Sequence, residues 1–172
     1  MKIGVIGLGL MGASIAGAIQ KFRSGEEIWG LDYKDVVKKA EDLGIIHHSC
    51  FQIQDFPQDL DILFLAAPIS ANREYLQKIT ERKDWQDLLI TDLSSTKSGI
   101  IHTADSLEKG NWSFIGGHPM VGSEKQGIGA YNPFLYENAV YVLSETKKHF
   151  PSSEKFNQLI KLLYDIGARI IK

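Results

Sequence analysis

A short strand-like run, Lys2–Ile6, leads straight into Gly7-x-Gly9-x-x-Gly12 and then into a stretch of small residues that reads as a helix to about Phe22. Strand, tight turn and slender helix in that order constrain the chain more than anything else in it. Gly7 permits the turn, Gly9 lets backbone come close to a pyrophosphate, and Gly12 lets the helix pack against the strand. The helix N-terminus presents free N–H groups to an anion. Gly7, Leu8, Gly9, Leu10, Met11 and Gly12 are therefore expected to line a dinucleotide. Twenty residues past Gly12, Asp32 closes a second predicted strand in "EIWGLDYK". There it suits hydrogen bonds from an adenosine ribose, and its charge opposes a 2′-phosphate, so NAD is expected over NADP, with Lys34 close enough to soften that preference. Asp32 equally suits the N-cap of a following helix.

Strands are predicted at Lys2–Ile6, Glu27–Leu31, Asp61–Ala66, Leu88–Asp92, Ser113–Ile115, Val140–Leu143 and Ala168–Lys172. Helices are predicted at Gly12–Phe22, with Ile15, Ile19 and Phe22 on one face, and near Lys34–Leu43, Ala71–Arg82 and Gly99–Leu107. A last helix carries Phe156, Leu159, Ile160 and Leu163 on one face, with Ser152 or Ser153 as its cap and Gly167 as its stop. This alternation predicts an α/β fold: a doubly wound, mostly parallel sheet of Rossmann type, forming a single domain over 1–172. A chain of 172 residues with 44% hydrophobic content is long enough for one such core.

A net charge of -2 and no cluster of Lys and Arg exclude a general attraction to nucleic acid or to an anionic membrane. The uncharged run Ile3–Gln20 invites comparison with a signal peptide or anchor. Its five glycines fit the strand–turn–helix reading better. Cys50 is the only cysteine, so no intrachain disulfide can form, and a cytoplasmic location is expected. No Cys, His and acid spacing suggests a metal.

Three further stretches carry chemistry. "AAPIS" follows the third predicted strand, so Ala67 and Pro68 are expected to line the same crevice as the glycine turn. "TDLSSTKSG" follows the next strand and brings Ser94, Ser95, Thr96 and Lys97 to the nicotinamide end, although each hydroxyl alone also suits helix capping. "GGHPMVGSEKQG", residues 116–127, suits an irregular loop and holds His118, Ser123, Glu124 and Lys125. His47, His48, His102 and His149 lack comparable surroundings and are expected to face solvent.

Together "VIGLGLMGAS", Asp32, "DLSSTK", "GGHPMVGSEKQG" and "LYENAVYVLS" make the chain resemble the prephenate and arogenate dehydrogenases over nearly its whole length. The resemblance implies NAD-dependent oxidative decarboxylation of prephenate to 4-hydroxyphenylpyruvate in tyrosine biosynthesis. It implies that His118 accepts a hydrogen bond from the substrate's ring hydroxyl, that Ser95 orients it, and that Ser123 and Glu124 lie at the mouth of the substrate pocket. Lys125 is weighed for a substrate carboxylate against a surface pair. Thr96 departs from the family's usual Val; Lys97 is retained. Removing hydride from the hydroxyl-bearing carbon builds positive charge unless the proton leaves too, and a neutral imidazole can take it near neutral pH.

The family carries a further helical domain that dimerises and binds a substrate carboxylate. The chain ends before it, and Arg73, Arg82 and Lys97 are the nearest cations for that role. On this reading the partners are prephenate or arogenate and, through the missing domain, a second copy, and the chain alone binds NAD but turns over poorly. Two other readings remain open. One is a different hydroxyacid dehydrogenase using a lysine as base; the other is a nonenzymatic NAD sensor.

Overall fold

The computed structural model describes residues 1–122 and 124–171. Among the described residues, eight strands form one sheet in the order β3-β2-β1-β4-β5-β6-β7-β8. These are β1 (Lys2–Ile6), β2 (Glu27–Leu31), β3 (His48–Cys50), β4 (Ile62–Leu65), β5 (Leu88–Asp92), β6 (Trp112–Pro119), β7 (Val140–Ser144) and β8 (Arg169–Ile171). Among the described residues, five α-helices lie between strands: α1 (Leu10–Phe22), α2 (Lys34–Asp42), α3 (Ile69–Glu81), α4 (Ser98–Ser106) and α5 (Ser153–Asp165). All pairings are parallel except β6 with β7, which is antiparallel. The first six strands follow the doubly wound dinucleotide-binding order, and the direction of winding reverses between β1 and β4.

Two apolar layers explain why both faces are covered. Along β1, Ile3 and Val5 join a core with Ile15 and Ile19 of α1, Val37 and Ala40 of α2, and Leu159 and Leu162 of α5. Ile6 points the other way, into a core with Leu76 of α3, Ile100 of α4 and Phe114 of β6. Side chains alternate along a strand, so a central strand buried on both faces reads as a continuous apolar run, as Ile62–Leu65 does. The small side chains of α1 let it sit close to the sheet: Gly12 through Ile19 are all buried. Phe22, expected on that buried face, is half exposed and meets the edge of Phe134 instead. Ser152 caps α5 through an N–H bond from Lys155, and Gly167 ends the turn beyond it at φ +90°.

Two expectations need correction. The stretch Gly116–Pro119 is not irregular: it extends β6, because Gly116 to Pro119 pair in turn with Ser144 to Tyr141 of β7. Proline is tolerated there because the ladder bond to β7 falls on the next residue, Met120, whose N–H goes to Val140, so the Pro119 nitrogen faces the side where β5 has already ended. The three-residue β3 has no counterpart among the predicted strands; it pairs with Trp29–Leu31 at the sheet's edge. Among the described residues, no helix is long and apolar enough to cross a membrane. No group of three or more His, Cys, Asp or Glu among them could hold a metal ion.

Candidate active site

The carboxyl ends of β1, β2, β4, β5 and β6 lie along one edge of the sheet. From β2 to β6 is four strand spacings, about 19 Å. At the β1 end, Gly7 adopts φ +90° and its N–H donates to the Leu31 carbonyl at 2.9 Å. A side chain on Gly12 would come 1.8 Å from the Gly7 carbonyl oxygen, so only glycine lets α1 start this close to β1. Around Gly9, by contrast, a Cβ would meet nothing within 4 Å. Gly9 is also the N-cap of α1, with no side chain bonding the helix's first N–H groups. Open space in front of uncapped N–H groups is what a pyrophosphate needs.

Asp32 stands half-buried at the end of β2. Its Oδ2 accepts the Leu8 N–H at 2.6 Å and its Oδ1 the Tyr33 N–H at 2.7 Å. It does not cap α2, whose N-cap is Tyr33 with no side-chain bond. The carboxylate instead leans over the glycine turn, with lone pairs left for ribose hydroxyls. A cleft of about 490 Å³ opens there, lined by Gly7, Gly9, Asp32, Ala66, Ala67 and Pro68, with Tyr33, Phe51 and Tyr75 as aromatic walls. Burial raises the Tyr75 hydroxyl's pKa, with nearby Asp32 adding to it. A neighbouring hollow of about 420 Å³ shares Leu31, Phe51 and Tyr75 but none of the glycine-turn residues.

The other half of the edge is held by two buried polar side chains that the motifs did not single out. Asn72, fully buried in α3, donates to the Leu65 carbonyl and the Ser94 hydroxyl, each at 3.2 Å, and accepts the Ala67 N–H at 3.1 Å. Asp92, also fully buried, accepts the Ser94 N–H and the Gly117 N–H, both at 3.1 Å, and pairs with Lys97. The Lys97 ammonium donates further to the Gly117 carbonyl at 2.6 Å. Burial lowers the Lys97 pKa, and the Asp92 carboxylate offsets part of that. A polar residue closing an apolar strand with a lysine five positions later was the available sign for Asp92.

The sheet thus brings together the β1 turn, Asp32, Ala67, Pro68, Ser94 and His118, which is half-buried on β6 one residue past Gly117. Ser95 is exposed on the loop leading into α4. Glu124 and Lys125 are exposed beyond β6, and Ser123 lies outside the described residues. The three cations weighed for a substrate carboxylate are all engaged elsewhere. Arg73 donates to Thr103 of α4, Arg82 pairs with Asp84 and stacks over Trp85, and Lys97 is held by Asp92. His149 is not solvent-facing: it is 4% exposed and stacked on Trp112 at 4.0 Å.

A family model described as "Prephenate dehydrogenase, nucleotide-binding domain" matches residues 15–172. The chain belongs to this family. It is 43% identical over 164 residues to prephenate dehydrogenase of Lactococcus lactis, spanning 95% of this chain and 44% of the relative. The arogenate dehydrogenase of Synechocystis superposes with a TM-score of 0.87 at 32% identity, covering 99% of this chain and 59% of that one. The prephenate dehydrogenase of Aquifex aeolicus, solved with hydroxyphenyl propionate and NAD+, gives 0.85 at 28% identity, with the same coverage. The chain therefore spans about half the length of these family members.

Proposed function

We propose that this chain is the NAD-binding part of a prephenate dehydrogenase, working in the cytoplasm, and that His118 is its proton acceptor. The observation that carries the reading is the place of His118. It stands at the carboxyl end of β6, on the edge that also holds the glycine turn and Asp32, and its neighbour Gly117 is fastened to the loop bearing Ser94 and Ser95. The residues fit the cofactor. Open space at Gly9 and the uncapped start of α1 would take the pyrophosphate, Asp32 the adenosine ribose, and Ala67, Pro68 and Ser94 the nicotinamide side.

When bound, NAD accepts the hydride that leaves the ring carbon bearing the substrate's hydroxyl. The imidazole of His118 takes the hydroxyl proton as the carbonyl forms, so positive charge does not accumulate on that carbon. Ser95 holds the same hydroxyl in line. Carbon dioxide leaves from the opposite ring position, its electrons pass through the ring onto the carbonyl oxygen, which takes the proton back from His118 to give the phenol, and aromaticity drives the step. The protein then supplies position and one proton acceptor. A substrate carboxylate falls to groups beyond Arg73, Arg82 and Lys97, which have partners already. The engagement of Lys97 also speaks against a lysine acting as base. We place that carboxylate contact, and pairing with a second copy, in the helical domain of the full-length protein.

The test follows NADH formation by the full-length protein with prephenate and, separately, with arogenate. Prephenate turnover that falls by about a thousandfold in His118→Asn, with NAD affinity unchanged, is expected for loss of the general base. Turnover of arogenate alone would move the assignment to the arogenate enzyme, the reading favoured by the Synechocystis likeness. Unchanged turnover in His118→Asn would remove the imidazole from the reaction.

A further inference from the structure

We propose that Asp92 and Lys97 form a positioning pair for His118, standing in for the sheet ladder where β5 ends. This rests on the assignment of His118 above. The last residues paired between β5 and β6 are Thr91 and Ile115, yet β6 runs on for four residues. On its other side, β6 pairs with β7 as far as Pro119. Toward β5, the N–H and carbonyl of Gly117 have no strand to meet. The Asp92 carboxylate takes the N–H at 3.1 Å and the Lys97 ammonium donates to the carbonyl at 2.6 Å. The two side chains are themselves ion-paired, so one fixed unit holds both peptide groups of the residue before His118.

The space around Gly117 is shaped to this contact. A side chain there would come 2.5 Å from the Asp92 carbonyl oxygen, 2.8 Å from the Tyr141 hydroxyl and 3.0 Å from the Thr91 hydroxyl. Alternation along the strand then turns His118 to the opposite face, the one that Gly116 shares. At Gly116 the place of a side chain is filled from that face by Lys97 Cδ at 3.1 Å and Ile101 Cδ1 at 3.5 Å. The Lys97 stem thus underlies the His118 face, next to α4 and the loop carrying Ser95, while its ammonium holds Gly117 from the side. Asp92 is fully buried and Lys97 is 14% exposed. A buried pair of this kind contributes little net stability compared with apolar side chains of the same volume, so its value here is geometric. Asp92 also takes the Ser94 N–H, which makes the serine loop and the histidine strand one rigid piece.

The experiment uses the double variant Asp92→Asn/Lys97→Met in the full-length protein, which leaves neither charge buried alone. Its kcat with prephenate is expected to fall about 100-fold, as for a reacting group displaced by about 1 Å, with the Kd for NAD within about twofold of wild type because the asparagine keeps one oxygen for the Ser94 N–H while the Gly117 peptide loses its holders. A merely structural role would weaken NAD binding and thermal stability in step with kcat. The same pair of substitutions is then placed over His118→Asn, where the added loss shrinks to about threefold or less because the pair acts through the imidazole. An undiminished loss in that background, or an unchanged kcat where His118 is intact, overturns the proposal. Unchanged turnover in His118→Asn alone overturns instead the role of His118, which is a separate result. Lys97→Arg serves if the double variant does not fold: kcat is expected to fall with NAD affinity kept, and wild-type kcat overturns the proposal.

Discussion

Gly9 and Gly12 sit three residues apart in one turn, and alanine at each should weaken NAD binding, but only alanine at 12 should also destabilise the fold. At Gly12 the new methyl would stand 1.8 Å from the Gly7 carbonyl oxygen and 2.9 Å from Ala66 Cβ. Closest tolerable approach is about 3 Å, so backbone on one side must withdraw by about 1.2 Å, and neither neighbour is the end of a flexible side chain. Overpacking of this kind costs about 1–3 kcal/mol, and here it also drags the start of α1 away from β1. Losing the alignment of one charge-assisted N–H bond to phosphate costs a further roughly 1.5–3 kcal/mol, or about 10–150-fold in NAD affinity. At Gly9 the methyl meets nothing within 4 Å, and the backbone already has φ -70°, which any residue accepts. Gly9→Ala should therefore unfold within about 0.5 kcal/mol of wild type yet bind NAD at least about tenfold more weakly, because the methyl occupies the approach to the pyrophosphate. Denaturant melts and calorimetric NAD titrations of both variants give the two numbers side by side. A Gly9→Ala protein that binds NAD like wild type, or a Gly12→Ala protein of wild-type stability and affinity, would refute the reasoning.

Asp32→Asn should weaken NAD by about 10–100-fold and narrow or reverse the preference over NADP, since the charge opposing a 2′-phosphate is gone. Parallel titrations with both cofactors check it, and an unchanged ratio would count against the ribose role. His149 gives a pH signature. Burial first, with Lys148 and Lys109 assisting, holds its pKa below the ordinary imidazole value, against the pull of the Leu107 carbonyl and Asp105. The folded state thus binds this proton less readily than the unfolded state. The stabilising contribution is complete above the ordinary imidazole pKa, near 6.5, and is lost as pH falls from there through the lowered folded value. Denaturant midpoints at pH 7.5 and about pH 5.5 should differ less in His149→Gln than in wild type; equal differences would sink the idea.

What the sequence made legible is what is decided locally. The glycine turn, a serine cap at 152 or 153 and the strands β1, β2 and β5 follow from runs of a few residues, and the bounds of these strands match the structure end for end. What was missed is decided at a distance. Gly116–Pro119 reads as a loop because glycine and proline break local order, and it becomes a strand only because β7 returns alongside it. His48–Cys50 is too short and polar to announce itself, and it is a strand by virtue of Trp29–Leu31. His149 is buried because Trp112, at the start of β6, offers a face to stack on. Nothing within ten residues of it says so.

Asp32, Asn72 and Asp92 answer one physical need. A parallel sheet runs out of ladder at its carboxyl edge, while the chain still has N–H groups there that must be satisfied. The Leu8 N–H goes to Asp32, the Ala67 N–H to Asn72, and those of Ser94 and Gly117 to Asp92. Each of these N–H groups belongs to a loop or strand end that borders the crevice, so every wall is fastened by a carboxylate or an amide before any ligand arrives. The first N–H groups of α1 have no such side chain. A dinucleotide entering this crevice therefore meets walls already held and one set of donors still unspent, and little ordering remains to oppose its binding.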